Sequence, residues 1–300
     1  MKRWKNAVGI VVFCFLIFDI SIVATGKIKL TDLLKDYGSP IQETKETREE
    51  SKTEDMKPEM MTEEKTVDAY VPTMDKLLKT AIEPVGNTMY IWGGGWNEAD
   101  DGAGIEAVTI GVSPRWAEYA AKQDAGYNYR NTRYQIHDGL DCSGYIGWLV
   151  YNVMNTENEQ EGYVMYACDM ASAYASYGWG TYMTTGDFKP GDICSMSGHV
   201  WICLGTCEDG SVLLAHSSPP GVRISGTKLP GGNSSKAVEL AQEIMRTYYG
   251  DWYSRYPECS VDSSYLTSCV RMRWDTSFLI DENNIQNMSG EQIAEFLYGK

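Results

Sequence analysis

The chain has 300 residues, 43% of them hydrophobic and 12% aromatic, with 41 acidic against 26 basic side chains and a formal charge of −15. That composition can fill a core and line a cleft with rings, which excludes a wholly disordered chain. The negative excess, with no basic stripe to offset it, repels phosphate backbones and excludes nucleic acid as a partner.

The start, Met1-Lys2-Arg3-Trp4-Lys5, is basic, and an apolar run follows from Ala7 to Phe18, meets Asp19 and continues to Ala24. A basic flank before an apolar run predicts export. As a helix the run to Phe18 spans roughly 18 Å and the run to Ala24 roughly 27 Å, nearly a bilayer core. Residues 1–26 therefore read as a signal anchor or a cleaved signal peptide. Ile22-Val23-Ala24 is a poor cleavage site, which favours the anchor and a domain tethered to the cytoplasmic membrane, outside the cytoplasm. Residues 27–70 mix Glu, Lys, Thr and Met with almost no rings and read as a charged linker. A flexible coil of about 45 residues reaches near 37 Å, and charge repulsion extends it.

The folded domain is read as 71–300. A helix is expected over 74–81. Trp92-Gly93-Gly94-Gly95-Trp96 follows, and the stretch 96–139, rich in Gly, Asn and Tyr, reads as an inserted loop or lid. A largely buried helix is expected over 143–154, with its N-terminus at Asp141-Cys142, and another over 170–177. Strands are expected at 191–196, 199–205 and 211–217, with a shorter one at 222–225, forming an antiparallel meander. Helices at 235–249 and 289–298 complete an α+β plan in which the residues after about 226 form a C-terminal extension.

Three histidines occur in the whole chain, and His199 and His216 fall on adjacent predicted strands. Cys142 follows the N-cap type residue Asp141, so it lies in the first turn of a helix, where unpaired N–H groups and the helix dipole favour a thiolate. Alternation along β-structure turns His199 and Trp201 away from Val200, Ile202 and Leu204, and a loop of about five residues returns His216 to within a residue or two of His199. In thiol catalysis one imidazole takes the proton and a second polar group fixes its tautomer. Cys142, His199 and His216 fit those roles in that order. His137 precedes Cys142 and reads as a loop residue.

These segments resemble the NlpC family of papain-like cell-wall cysteine endopeptidases. The resemblance covers about 74–225 and rests on Tyr90-Ile91-Trp92-Gly93-Gly94, Asp141-Cys142-Ser143-Gly144, Lys189-Pro190-Gly191-Asp192, Gly198-His199-Val200 and Ala215-His216. It implies a papain-like fold, a nucleophile helix packed on a central antiparallel sheet. It also implies that Cys142 attacks, that His199 is the general base, that His216 orients it, and that Tyr90 and Asp141 line the substrate subsite. The substrate it implies is the peptidoglycan stem peptide, cut between D-glutamate and the diamino acid. The 96–139 insertion and the long tail depart from the family pattern and put substrate choice in doubt. Related amidase or acyltransferase chemistry keeps the same Cys142 and His199, and a wall-binding module without catalysis is the reading from another class.

Besides Cys14 and Cys142, six cysteines remain, compatible with disulfides of open connectivity; Cys259 with Cys269 closes the shortest loop in the tail. Neither Cys-x-x-Cys nor His-x-x-x-His spacing occurs, so no metal or other cofactor is implied.

Overall fold

A computed structural model describes residues 70–154, 161–232 and 234–299. The expected export segment and linker lie outside these residues, apart from Tyr70. Among the described residues no helix is long and apolar enough to cross a membrane.

The fold is α+β, built on one seven-stranded sheet. In chain order its elements are α1 (Met74–Ile82), α2 (Pro114–Ala121), α3 (Cys142–Met154), α4 (Met170–Ser176), β1 (Gly180–Met183), β2 (Ile193–Met196), β3 (His199–Thr206), β4 (Val212–Ser218) and β5 (Gly221–Thr227). Then come α5 (Lys236–Tyr248), α6 (Gly250–Arg255), β6 (Ser260–Val261), α7 (Ser264–Thr267), β7 (Val270–Trp274) and α8 (Gly290–Tyr298). The sheet order is β1-β7-β2-β3-β4-β5-β6.

Strands β2 to β5 form the expected antiparallel meander. Two features differ from expectation. Strand β5 runs from Gly221 to Thr227, as long as β4, because its whole length pairs with β4 or with β6. The tail is no appendage: β7 lies inside the sheet between β1 and β2, and β6 adds a parallel edge to β5.

Helix starts follow local chemistry. Thr73, Ser235 and Ser289 each accept from a backbone N–H of the first turn, and Ser289 with Gln292 forms a capping box. Helix α3 is apolar all round, and every residue from Cys142 to Val153 is buried, as a helix clasped on all sides must be. It joins α1 and one sheet face in the main core, with Leu77, Leu78, Ile146, Leu149, Val200, Ile202 and Ala215 fully covered. A smaller core covers the other face, built from Cys194, Trp201, Cys203, Val212, Leu214, Val261 and Cys269.

The 96–139 stretch is structured rather than an open lid. Pro114 opens α2 at a position where its missing N–H is harmless, and Trp116 packs edge-on against Trp148 of α3 at 6.0 Å. Gly111 binds α3 twice more, its N–H to Asn152 Oδ1 at 2.6 Å and its carbonyl to Trp148 Nε1 at 3.0 Å. The seven described cysteines are free thiols, so neither a Cys259–Cys269 bridge nor any other is present among them.

Candidate functional site

The N-terminus of α3 is fixed by its own cap. Asp141 Oδ1 accepts from the Gly144 N–H at 2.7 Å and from Ser143 Oγ at 2.8 Å, while Oδ2 accepts from the Gly93 N–H at 3.2 Å. Trp96 Nε1 donates to Ser143 Oγ at 3.0 Å. The glycine run explains how the 93–95 turn comes so close. A Cβ on Gly94 would sit 2.4 Å from the Gly139 carbonyl oxygen, and one on Gly144 would sit 2.0 Å from the Gly94 oxygen. Only hydrogen fits at either contact. Asp141 is buried, which raises its pKa to about 6 against the hydrogen bonds from Gly144, Ser143 and Gly93 that lower it. Its first role in this geometry is the cap.

Cys142 opens α3 and is 7% exposed. Ser217 Oγ donates to the Leu140 carbonyl at 2.7 Å, tying the end of β4 to the residues that lead into Cys142. The backbone N–H groups of Val200, Ser143 and Cys142 act on the sulfur in the direction that favours a thiolate. Val200 follows His199 directly, so the start of β3 lies at the α3 N-terminus. Burial nevertheless outweighs these dipoles and, with Asp141 adding to it, pushes the Cys142 thiol up to about 12. The lowered thiol pKa expected from the helix start is thus corrected: in the resting site the group is a neutral thiol.

Ile202 pairs with Ala215, which places His216 across from Trp201, two residues from the His199 position. The rings meet: His199 Nε2 lies 3.1 Å from His216 Nδ1, with the planes 74° apart. His216 is fully buried, and its Nε2 lies 3.0 Å from Ser225 Oγ on β5. One proton arrangement suits a base. His199 Nε2–H donates to His216 Nδ1, and His216 Nε2–H donates to Ser225, leaving the His199 Nδ1 lone pair free to take a proton. His199 keeps one edge open to solvent, yet burial first and the Arg223 charge second lower its pKa to about 4. Burial, Arg223 and His199 push His216 well below its usual range. Both rings rest neutral.

Tyr90 is buried beside this centre, edge-on to Tyr129 at 5.4 Å. Its pKa is raised by burial and further by coupling to the ionised forms of Cys142 and Asp141, which places its phenol near both. The five predicted residues Tyr90, Asp141, Cys142, His199 and His216 are therefore brought to one place. His137 is elsewhere, paired with Glu106.

Sequence reading missed three neighbours. Ser225 ends the imidazole chain. Arg223, paired with His216 in the register, is buried and donates through Nη1 to the Ser218 and Pro219 carbonyls at 2.6 and 2.9 Å. Tyr265 of α7 lies 5.6 Å from the His199 ring and 6.2 Å from His216, roofing the pair. Ser225 and Arg223 carried a usable signal, since alternation on the strand opposite His216 points both toward it; Tyr265, in a helix of four residues, had none.

No family model, curated protein or solved structure matches this chain.

Proposed function

We propose that the protein is a papain-like cysteine peptidase of the bacterial cell wall that hydrolyses peptide bonds in peptidoglycan stem peptides. The observation that carries this reading is the chain His199, His216, Ser225 set at the start of β3, whose next residue, Val200, directs its backbone N–H at the buried Cys142 thiol of the α3 N-terminus, with the outer nitrogen of His199 left free by the second, fully buried histidine. A nucleophile helix that precedes a meander bearing the base supports the papain-like assignment. The substrate class rests on the five motifs that resemble the NlpC family, and the extracytoplasmic placement rests on residues 1–26.

In this reading the Cys142 thiol gives its proton to His199 Nδ1 as the sulfur attacks the scissile carbonyl. His216 holds the imidazole in the receptive tautomer and accepts from Nε2–H throughout. N–H groups at the α3 N-terminus meet the oxyanion. The imidazolium then protonates the leaving amine, and water hydrolyses the thioester. The neutral resting pair means that thiolate forms only as bond making begins.

The test is mass spectrometry of muropeptides after incubation with the protein, with Cys142→Ala alongside. Endopeptidase action leaves the sugar-to-alanine amide intact and splits the stem. Products cut at that amide would assign an amidase instead, and intact muropeptides would remove the peptidase reading.

A further inference from the structure

Beside the α3 N-terminus the turn 93–100 and the segment 134–137 enclose a cavity of about 370 Å³ whose walls include Trp96, Asn97, Glu98, Asp100, Tyr134 and His137. Its position is fixed by the candidate site itself: Gly93, also in the wall, is bonded to Asp141, and Trp96 is bonded to Ser143, the residues on either side of Cys142.

The lining has a definite chemistry. Tyr134 is 61% exposed and Trp92, next to the wall, is 44% exposed, so two rings reach solvent beside the cavity. The Arg133 guanidinium sits 4.8 Å from the Trp92 ring centre and 5.6 Å from that of Tyr134, which steadies both faces. Tyr134 has φ 64°, the left-handed region that a bulky residue enters at a cost, and its N–H donates to the Trp92 carbonyl at 3.0 Å. Strain of this kind persists where the surroundings impose it, commonly at ligand clamps. Around the rings stand an amide, two carboxylates and an imidazole. Apolar faces edged by donors and acceptors match a pyranose ring, whose C–H face stacks while its equatorial hydroxyl and acetamido groups bond sideways.

Charge and size narrow the choice. Glu98 and Asp100, on a chain of net charge −15, repel the carboxylates of a stem peptide, whereas an N-acetylated sugar is neutral. The volume lies at the small end of the roughly 300–1,000 Å³ usual for ligand sites, room for a ring rather than a polymer. We propose that this cavity is a sugar subsite, holding an N-acetylhexosamine ring of the glycan from which the stem peptide extends. The choice of glycan rests on the wall-peptide reading; the ring-binding chemistry stands on the cavity alone.

The test separates the two. The full chain carrying Cys142→Ala is titrated with N,N′-diacetylchitobiose, following tryptophan fluorescence and heat. Saturable binding is expected, weakened at least tenfold by Tyr134→Ala, largely kept by Tyr134→Phe, and unaltered by Tyr182→Ala on edge strand β1. With the active protein, Tyr134→Ala should raise KM for a disaccharide-bearing stem peptide about tenfold more than for the bare peptide. Absence of chitobiose binding, or binding indifferent to Tyr134→Ala in a protein that still melts cooperatively, overturns the subsite. Sugar binding without cleavage of either substrate would overturn the peptidase reading and leave the subsite standing.

Discussion

At the scale of single residues, the balance between burial and local dipoles decides how Cys142 behaves. A helix N-terminus alone would activate the thiol, but burial raises it to about 12. Alkylation by iodoacetamide should therefore be slow at pH 6 and climb steadily through the alkaline range; fast alkylation at pH 6 would show an ion pair at rest. In the proposed mechanism turnover needs a neutral His199, so activity should hold from pH 7 to 5 and decline only toward pH 4, where that ring takes up a proton. His216→Ala should cost roughly ten- to a thousand-fold in kcat, about 1.4–4 kcal/mol, because an unoriented imidazole still finds the proton part of the time. Stability follows the same groups. Both histidines have folded pKa values below 6.5, so on acidification the unfolded chain protonates first, and the stability they allow is intact above pH 6.5 and lost as pH falls toward 4. Asp141, raised to about 6, acts in the other sense, as do Glu83 and Asp192, which burial also raises. The contribution of the histidines is read by comparison: between pH 7 and pH 5 the urea midpoint of the parent protein should shift further toward lower values than that of His216→Ala.

At the scale of elements, the contact between the 93–95 turn and the first turn of α3 holds Cys142, the proposed nucleophile. Gly144→Ala places a methyl 2.0 Å from the Gly94 oxygen, a backbone atom that cannot swing aside. Overpacking of this kind costs about 1–3 kcal/mol, and the site should suffer more than the fold. Activity is expected to drop by orders of magnitude while a cooperative melt remains; near wild-type activity would show that this contact does not position Cys142. How far these elements could be read from the sequence depended on their burial. Helix α3 was plain from its cap residue and its apolar run, and β3 and β4 from alternation around the two histidines. Strand β7, Val270-Arg271-Met272-Arg273-Trp274, alternates well, but two arginines within five residues give no signal of a strand inside a sheet. In the fold Arg273 donates to Asp192 through Nε at 2.9 Å and Nη2 at 2.7 Å, and Arg271 lies over the Phe188 ring at 4.3 Å. The aspartate of the Lys-Pro-Gly-Asp motif is thus the anchor for a strand 80 residues away, a pairing that only tertiary contact reveals. Strand β1 was hidden for another reason: it is short and its middle residues are exposed, so it carries no burial pattern.

At the scale of the whole molecule, the folded unit uses both ends of the described chain. Pro72 and Met74 exchange backbone hydrogen bonds with Ile280 at 3.0 and 2.9 Å, and Tyr70 donates from its hydroxyl to the Val153 carbonyl at 2.7 Å. A protein starting at Tyr70 keeps all three and should melt cooperatively and cleave in solution; failure to fold would move the boundary toward the N-terminus. A protein ending after Thr227 would lack β6 and β7, leaving β1 without a partner and one edge of β2 bare. It should form aggregates rather than a smaller domain.

The interior place of β7 also sets an order of events. Ile193 must find Met272 before β2 is covered, and Tyr182 must find the same residue before β1 joins at all. Contacts between residues so far apart in sequence close late, since the loop entropy is spent before the pairing rewards it. A ribosome releasing this chain from its N-terminus therefore delivers about nine-tenths of it before the sheet can be completed. The meander, with the histidine pair between β3 and β4, emerges with an open edge on β2 that only the last strand can seal.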